Sequence, residues 1–345
     1  MESINDMRLN KKEHNFRHVA RLLRTQVPPP TSIAAVKYDT QGIDCLIVVL
    51  RHIYSHMLPE SMFQTQEDKD KETRNPMLAL AWSDISRDTE SVWVEAKTEV
   101  LRLFQPSCAK DSKLRFEHLC HSDLMWETFW SRDEFTMFSG VMMKQEGDPW
   151  KHVPTEGRRL IRSIMEVNRR GYPKLGFQDF INAHFMLQKK PSGRLMKYFC
   201  AAPKVIRVKY NTRKKGKPFP FSTLKNIYVP VGDVKGSDTE PSKEKGHQKV
   251  SYTLIAVVSL ADDRIHLYDF MGEQIIPENP SPITGGEQWS LEDAKVGSFE
   301  LFYMHAGHAK PIDMYGEFAR AKPELDQPAL QALQRLRDHS KLSDV

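Results

Sequence analysis

The stretch Thr40-Gln41-Gly42-Ile43-Asp44-Cys45 leads into the apolar run Leu46-Ile47-Val48-Val49-Leu50. A thiol at the head of such a run has the placement of a nucleophile. With Asp44 as helix N-cap, Cys45 falls in the first turn, where unpaired backbone N–H groups and the helix dipole favour a thiolate. Gly42 permits a tight turn that brings backbone amides toward the sulfur, as an oxyanion hole requires. The competing reading is a buried structural cysteine, free cysteine being among the most buried residue types.

Two other segments carry chemical side chains. His118-Leu119-Cys120-His121 offers metal-ligand types, but adjacent ligands without a distant pair rarely build a tetrahedral site, so no metal and no cofactor is expected. Lys204 to Lys217 is basic and includes Tyr210, a composition suited to phosphate or a ubiquitin-like partner. Its bland reading is a charged strand end running into a solvated loop.

The elements that must position these residues follow from pattern. Phe16, Val19, Leu22 and Leu23 recur at helical spacing before Pro28-Pro29-Pro30, which predicts a leading helix and a stiff connector over residues 1–31. A buried helix is expected from Asp44 to Met57, and a solvated loop over Gln64 to Asn75. Helical patterns follow at Val92 to Leu103, Leu160 to Asn168 and Phe177 to Leu187. The second half changes character: Lys204 to Tyr210, Lys225 to Val231, Tyr252 to Leu260, Arg264 to Phe270 and Phe299 to His305 are β-branched or aromatic runs of strand length, expected to form an antiparallel sheet. Gly232 to Gln248 reads as a loop insertion and Ala329 to Leu342 as a short amphipathic helix in a tail spanning 311–345. Helices first and sheet second predict an α+β fold, with the main domain over 32–310.

Composition narrows the function classes. A net charge of +5, from 50 basic and 45 acidic groups spread along the chain, does not call for nucleic acid, and none is expected as a partner. The four cysteines (Cys45, Cys108, Cys120, Cys200) include no C-x-x-C pair, which argues against a disulfide scaffold or zinc ribbon and for a reducing, intracellular setting, cytoplasmic or nuclear. No stretch approaches the roughly 18 apolar residues of a membrane span, and Met1 to Arg24 has no signal-peptide core.

Several spaced segments, taken in order, resemble the ubiquitin-specific protease family of papain-like cysteine peptidases. Gly42 and Cys45 keep the spacing of the family box N-x-G-N-x-C. Phe177 to Phe185 is similar to the family helix that precedes a P-x-V-L-x-I-x-L strand, to which Pro203 to Tyr210 is similar position by position, with Lys197-Tyr198-Phe199-Cys200 resembling the Y-x-C approach. Phe219-Pro220 with Leu224 is similar to F-P-x-x-L, and Tyr252 to Val258 resembles Y-x-L-x-A-V. Trp289 to Val296 resembles W-Y-x-F-[ND]-D-x-x-V one residue short, and Phe299 to Tyr303 the closing A-Y-x-L-F-Y strand. The likeness is weak between Leu58 and Tyr172.

The resemblance implies a papain-like fold with Cys45 opening a central helix, and an acyl-transfer site acting on ubiquitin or a ubiquitin-like modifier as partner. Cys45 would be the nucleophile. His266 is the nearest counterpart of the family histidine, although Ile265 and Leu267 replace its Gly and Tyr neighbours; His247 is a poorer candidate. Glu292 and Asp293 fall where the family keeps its orienting acidic or amide residues. Thr40 stands where the family places its oxyanion asparagine, and Gln41 is the alternative donor. Two readings follow: a thiol isopeptidase, or a non-catalytic relative that keeps the fold as a binding module. A third reading, a basic interaction protein of unrelated fold whose strand patterns match by accident, would leave Val205 and Ala256 out of neighbouring strands.

Overall fold

The computed structural model describes residues 4–9, 16–29, 40–58, 60–104, 114–153, 164–169, 171–212, 218–232, 249–279, 281–284, 291 and 297–308. The expected 232–248 insertion, Gly232 apart, and the 329–342 helix lie outside them, as do Cys108, His247, Glu292 and Asp293.

Helix α1 (Phe16–Thr25) buries Val19, Leu22 and Leu23 of the four positions its spacing marks, while Phe16 is exposed. It packs on α2 (Gln41–His56), in which every residue from Gly42 onward is buried. A helix buried on all sides tolerates Ile47, Val48 and Val49 because packing outweighs their modest helix propensity. Arg51 of α2 donates through its two terminal nitrogens to the carbonyls of Leu22 (2.9 Å), Ala81 (3.0 Å) and Ser83 (2.7 Å), so it joins separate segments although its buried Nε finds no partner among the described residues.

Two expectations on the helical side are corrected. Asp44 is not the N-cap: α2 starts at Gln41, Thr40 holds the cap position, and the Asp44 N–H already donates to the Thr40 carbonyl. The segment 64–75 is not a loop but contains α3 (Gln66–Arg74), whose polarity conceals a Thr65/Asp68 capping box and a Glu67–Lys71 i,i+4 pair. Helices α4 (Pro76–Leu80), α5 (Glu90–Phe104) and α6 (Phe116–Cys120) complete this layer.

The strands are β1 (Phe138–Lys144), β2 (Lys151–Val153), β3 (Met165–Asn168), β4 (Gln188–Lys189), β5 (Leu195–Cys200), β6 (Val205–Asn211), β7 (Asn226–Pro230), β8 (Lys249–Ser259), β9 (Arg264–Tyr268), β10 (Gln274–Ile275) and β11 (Ser298–His305). A four-stranded antiparallel sheet runs β2-β1-β5-β4. A seven-stranded sheet runs β10-β9-β8-β11-β6-β3, and β7 and β9 share one edge of β8. Of the helix expected over 160–168 only 164–168 lies among the described residues, and there strand β3 stands instead, because Met165 and Val167 are buried while Glu166 and Asn168 are exposed, a period of two.

The fold is therefore α+β, but strands already occur before the chain's midpoint, and β3 pairs β6 in parallel. Val205 and Ala256 are not on adjacent strands: β11 lies between them, with Met304 beside Val205 and Phe302 beside Ala256. That is the outcome expected of accidental matches, and it weighs against this part of the resemblance. One face of the large sheet, carrying Val205, Ala256, Ile265, Leu267 and Phe302, packs on the α2 layer. The other face, carrying Val208, Leu254, Val257 and Leu301, packs on α7 (Phe177–Phe185) and the small sheet. Among the described residues no helix is long and apolar enough to cross a membrane.

Candidate functional site

Cys45 is the fifth residue of α2, one past the first turn Gln41–Asp44 because the helix starts earlier than expected, and it has no exposed surface. Its thiol donates to the backbone carbonyl of Asp263 across 2.7 Å, a bond that exists only while the proton is on sulfur. Asp263 lies in the β8–β9 turn with φ of +52°, a left-handed conformation that aspartate tolerates better than most residues. Its carboxylate accepts from the Phe116 N–H at 3.3 Å and pairs with Arg115 at 3.5 Å. Arg115 in turn donates to the Ala261 carbonyl.

The same segment covers the helix start. A Cβ built on Gly42 would lie 2.2 Å from the Leu114 carbonyl oxygen and 2.6 Å from the Phe116 nitrogen. Gly42 thus serves backbone-to-backbone packing. Thr40 and Gln41, the expected oxyanion donors, stand at this same end of α2, and Thr40 is buried. Beside Cys45, Asp44 forms a buried ion pair with Lys97 of α5 at 2.6 Å.

His266 is elsewhere. On β9, Ile265 and Leu267 point to the α2 face, so the intervening His266 points to the opposite face, opposite Val257 and near Tyr268 at 6.4 Å between ring centroids. The structure does not bring His266 to Cys45; the sheet separates them. His266 is 7% exposed, and burial pushes its pKa down to about 3. The folded chain refuses a proton that the unfolded chain accepts below about pH 6.5, so stability falls with falling pH from there toward pH 3. The expected loss is about 2 kcal/mol at pH 5. His266→Phe should flatten this part of the urea-unfolding pH profile; an unchanged difference between pH 7 and pH 5 would refute the assignment.

A second cluster is one that sequence reasoning set aside. Cys120 and His121, at the end of α6, meet Glu300 of β11, which is fully buried. His121 Nε2 lies 2.8 Å from Glu300 Oε2, and Cys120 Sγ 3.7 Å from Oε1. Arg207 of β6, stacked over the Trp130 ring at 4.2 Å, stands 3.8 Å from Oε1. Burial alone would push the Glu300 carboxyl up, but His121 and Arg207 outweigh it and hold it below the usual range. Burial, reinforced by Glu300, pushes the Cys120 thiol well above its ordinary value. The missing signal was long-range: Glu300 is 180 residues from Cys120 and lies within a strand otherwise apolar or aromatic at its centre. The basic run beginning at Lys204 is partly spent inside the fold, Arg207 on Glu300 and Lys209 on Glu117 at 2.6 Å.

No protein-family model matches the chain, and no curated protein matches it. Among solved structures, the chain is similar to an essential yeast splicing factor at 11% identity and a TM-score of 0.36, over 82% of this chain and 70% of that one. It is also similar to the Saccharomyces cerevisiae apo Pan2 pseudoubiquitin hydrolase–RNA exonuclease module in complex with AACCAA RNA, at 12% identity and a TM-score of 0.30, over 85% of this chain and 50% of that one. Likenesses this weak do not bear on what this chain does.

Proposed function

We propose that this protein is a non-catalytic, ubiquitin-specific-protease-like domain of papain-like arrangement that acts by binding. The observation that carries the non-catalytic reading is the state of Cys45: fully buried, its thiol donating to the Asp263 carbonyl where a nucleophile would need a base. His266 on the far face of the sheet and the Leu114–Phe116 segment against Gly42 support the same reading. The order of the motifs from Gly42 to Tyr303 supports the family assignment and the separation of Val205 from Ala256 by β11 counts against it; ubiquitin or a ubiquitin-like modifier is the partner the assignment implies. The place of Cys45 near the N-terminal end of α2 is the observation on the side of the second reading, an active thiol isopeptidase.

An electrophilic ubiquitin C-terminal probe separates the two. The expected result is no Cys45-dependent labelling of the folded protein and no hydrolysis of a ubiquitin C-terminal amide, with binding of unmodified ubiquitin or a ubiquitin-like modifier measured by calorimetry in parallel. Labelling lost in Cys45→Ala, together with hydrolysis lost in His266→Ala, would establish the peptidase instead. Absence of binding to any modifier tried would remove the partner while leaving the catalytic conclusion standing.

A further inference from the structure

We propose that Cys120, His121 and Glu300 form a binding site for a borderline-soft divalent cation of the zinc class. A thiol, an imidazole and a carboxylate, three different ligand types from two elements distant in sequence, converge so that their donor atoms all lie within 4.8 Å of one another. An ion held 2.0–2.3 Å from each donor spaces tetrahedral donors by roughly 3.3–3.5 Å. The observed separations, 2.8 Å from His121 Nε2 to Glu300 Oε2 and 3.7 Å from Cys120 Sγ to Glu300 Oε1, bracket that spacing. Small adjustments of two side chains would close the set on an ion.

Charge and access agree. A thiolate, a neutral imidazole and a carboxylate around a dication sum to zero, which suits a buried site; as the metal binds, the thiol proton leaves to solvent and the proton that His121 Nε2 shares with Glu300 leaves that nitrogen, the imidazole ligating with its remaining proton on Nδ1. Cys120 and Glu300 are inaccessible, but the His121 side chain keeps 27% of its surface, so an ion can enter on that side and hold water as a fourth ligand. The ligand set favours zinc or cobalt over magnesium or calcium, which take oxygen donors.

Arg207 sets the strength. It neutralises Glu300 when no ion is bound, its Nη1 standing 3.7 Å from Cys120 Sγ, and it repels an incoming cation. The chain therefore folds without metal, and affinity is moderated by Arg207.

The full chain, stripped with chelator and then dialysed, should take up one equivalent of Zn²⁺ in competition with a chromophoric chelator. Co²⁺ should give a thiolate charge-transfer absorption that is absent in Cys120→Ser and retained in Cys45→Ser. His121→Asn, at a partly exposed position that should fold, is expected to weaken Zn²⁺ binding by at least about 10–100-fold, whereas Arg207→Gln should tighten it. No stoichiometric Zn²⁺ uptake by the folded protein, a cobalt–thiolate band that survives Cys120→Ser, or undiminished affinity in His121→Asn would each overturn the site. If Cys120→Ser does not fold, the His121→Asn titration decides.

Discussion

Lys97→Met is expected to lower the unfolding free energy by about 3–5 kcal/mol, read from urea unfolding followed by tryptophan fluorescence. Lys97 is fully buried, its ammonium 2.6 Å from the Asp44 carboxylate, whose side chain is nearly as inaccessible. Methionine keeps most of the volume and adds no cavity, so the loss comes from the charge left behind on Asp44. The favourable field at the N-terminus of α2 offsets that by at most about 1–2 kcal/mol. Lys97 also donates to the Pro29 carbonyl at 3.0 Å, so the variant additionally loosens the proline connector against α5. Adding Asp44→Asn removes that buried charge, and the double variant should recover a substantial part of the loss. A single variant costing under about 1 kcal/mol, or a double variant at the sum of the two singles, would show that the pair is not coupled.

The parts of the fold that were legible in the sequence are those in which local pattern and tertiary environment agree. Phe16 to Leu23 has helical spacing and a proline stop, and the five later β-branched runs became β6, β7, β8, β9 and β11 within a residue or two at most ends. Where polarity or shortness hid the pattern, reading failed. Helix α3 has no apolar stripe and is set by its cap and charge pairs, while β3 offers only four residues of alternation beside a stretch that looks helical. The site was less legible still. The strand alternation of Arg264, His266 and Tyr268 was visible, but which face is outward depends on layers on both sides of the sheet, and here both faces are buried. Nothing local announces that the carbonyl of Asp263 meets Cys45, or that Glu300 meets Cys120. Both contacts join residues about 200 positions apart through the β8–β9 turn and the placement of β11 between β6 and β8.

Gly42→Ala should be strongly destabilising despite replacing glycine inside a helix. Helix propensity alone predicts a gain of roughly 0.5–1 kcal/mol from the substitution. Against it stands a methyl group 2.2 Å from the Leu114 carbonyl oxygen, 2.6 Å from the Phe116 nitrogen and 2.7 Å from the Arg115 carbonyl carbon. All three are backbone atoms, so no side chain can swing aside. Overpacking of this kind costs about 1–3 kcal/mol and more where the neighbours cannot yield; a net loss near 3 kcal/mol is expected. The neighbours are held, because the Phe116 N–H and Arg115 are both fastened to the Asp263 carboxylate. Relief therefore requires either that α2 shifts or that Leu114–Phe116 lifts from the helix start together with the β8–β9 turn. The second route would take the Asp263 carbonyl from Cys45 and open the thiol to solvent. Thiol-reagent labelling of Cys45 measured beside the unfolding curve distinguishes them: faster labelling under native conditions marks the segment as the cover over a nucleophile's place, whereas lost stability with Cys45 still protected marks Gly42 as a packing residue only. A wild-type-like unfolding curve would show that this close approach is absent from the folded protein.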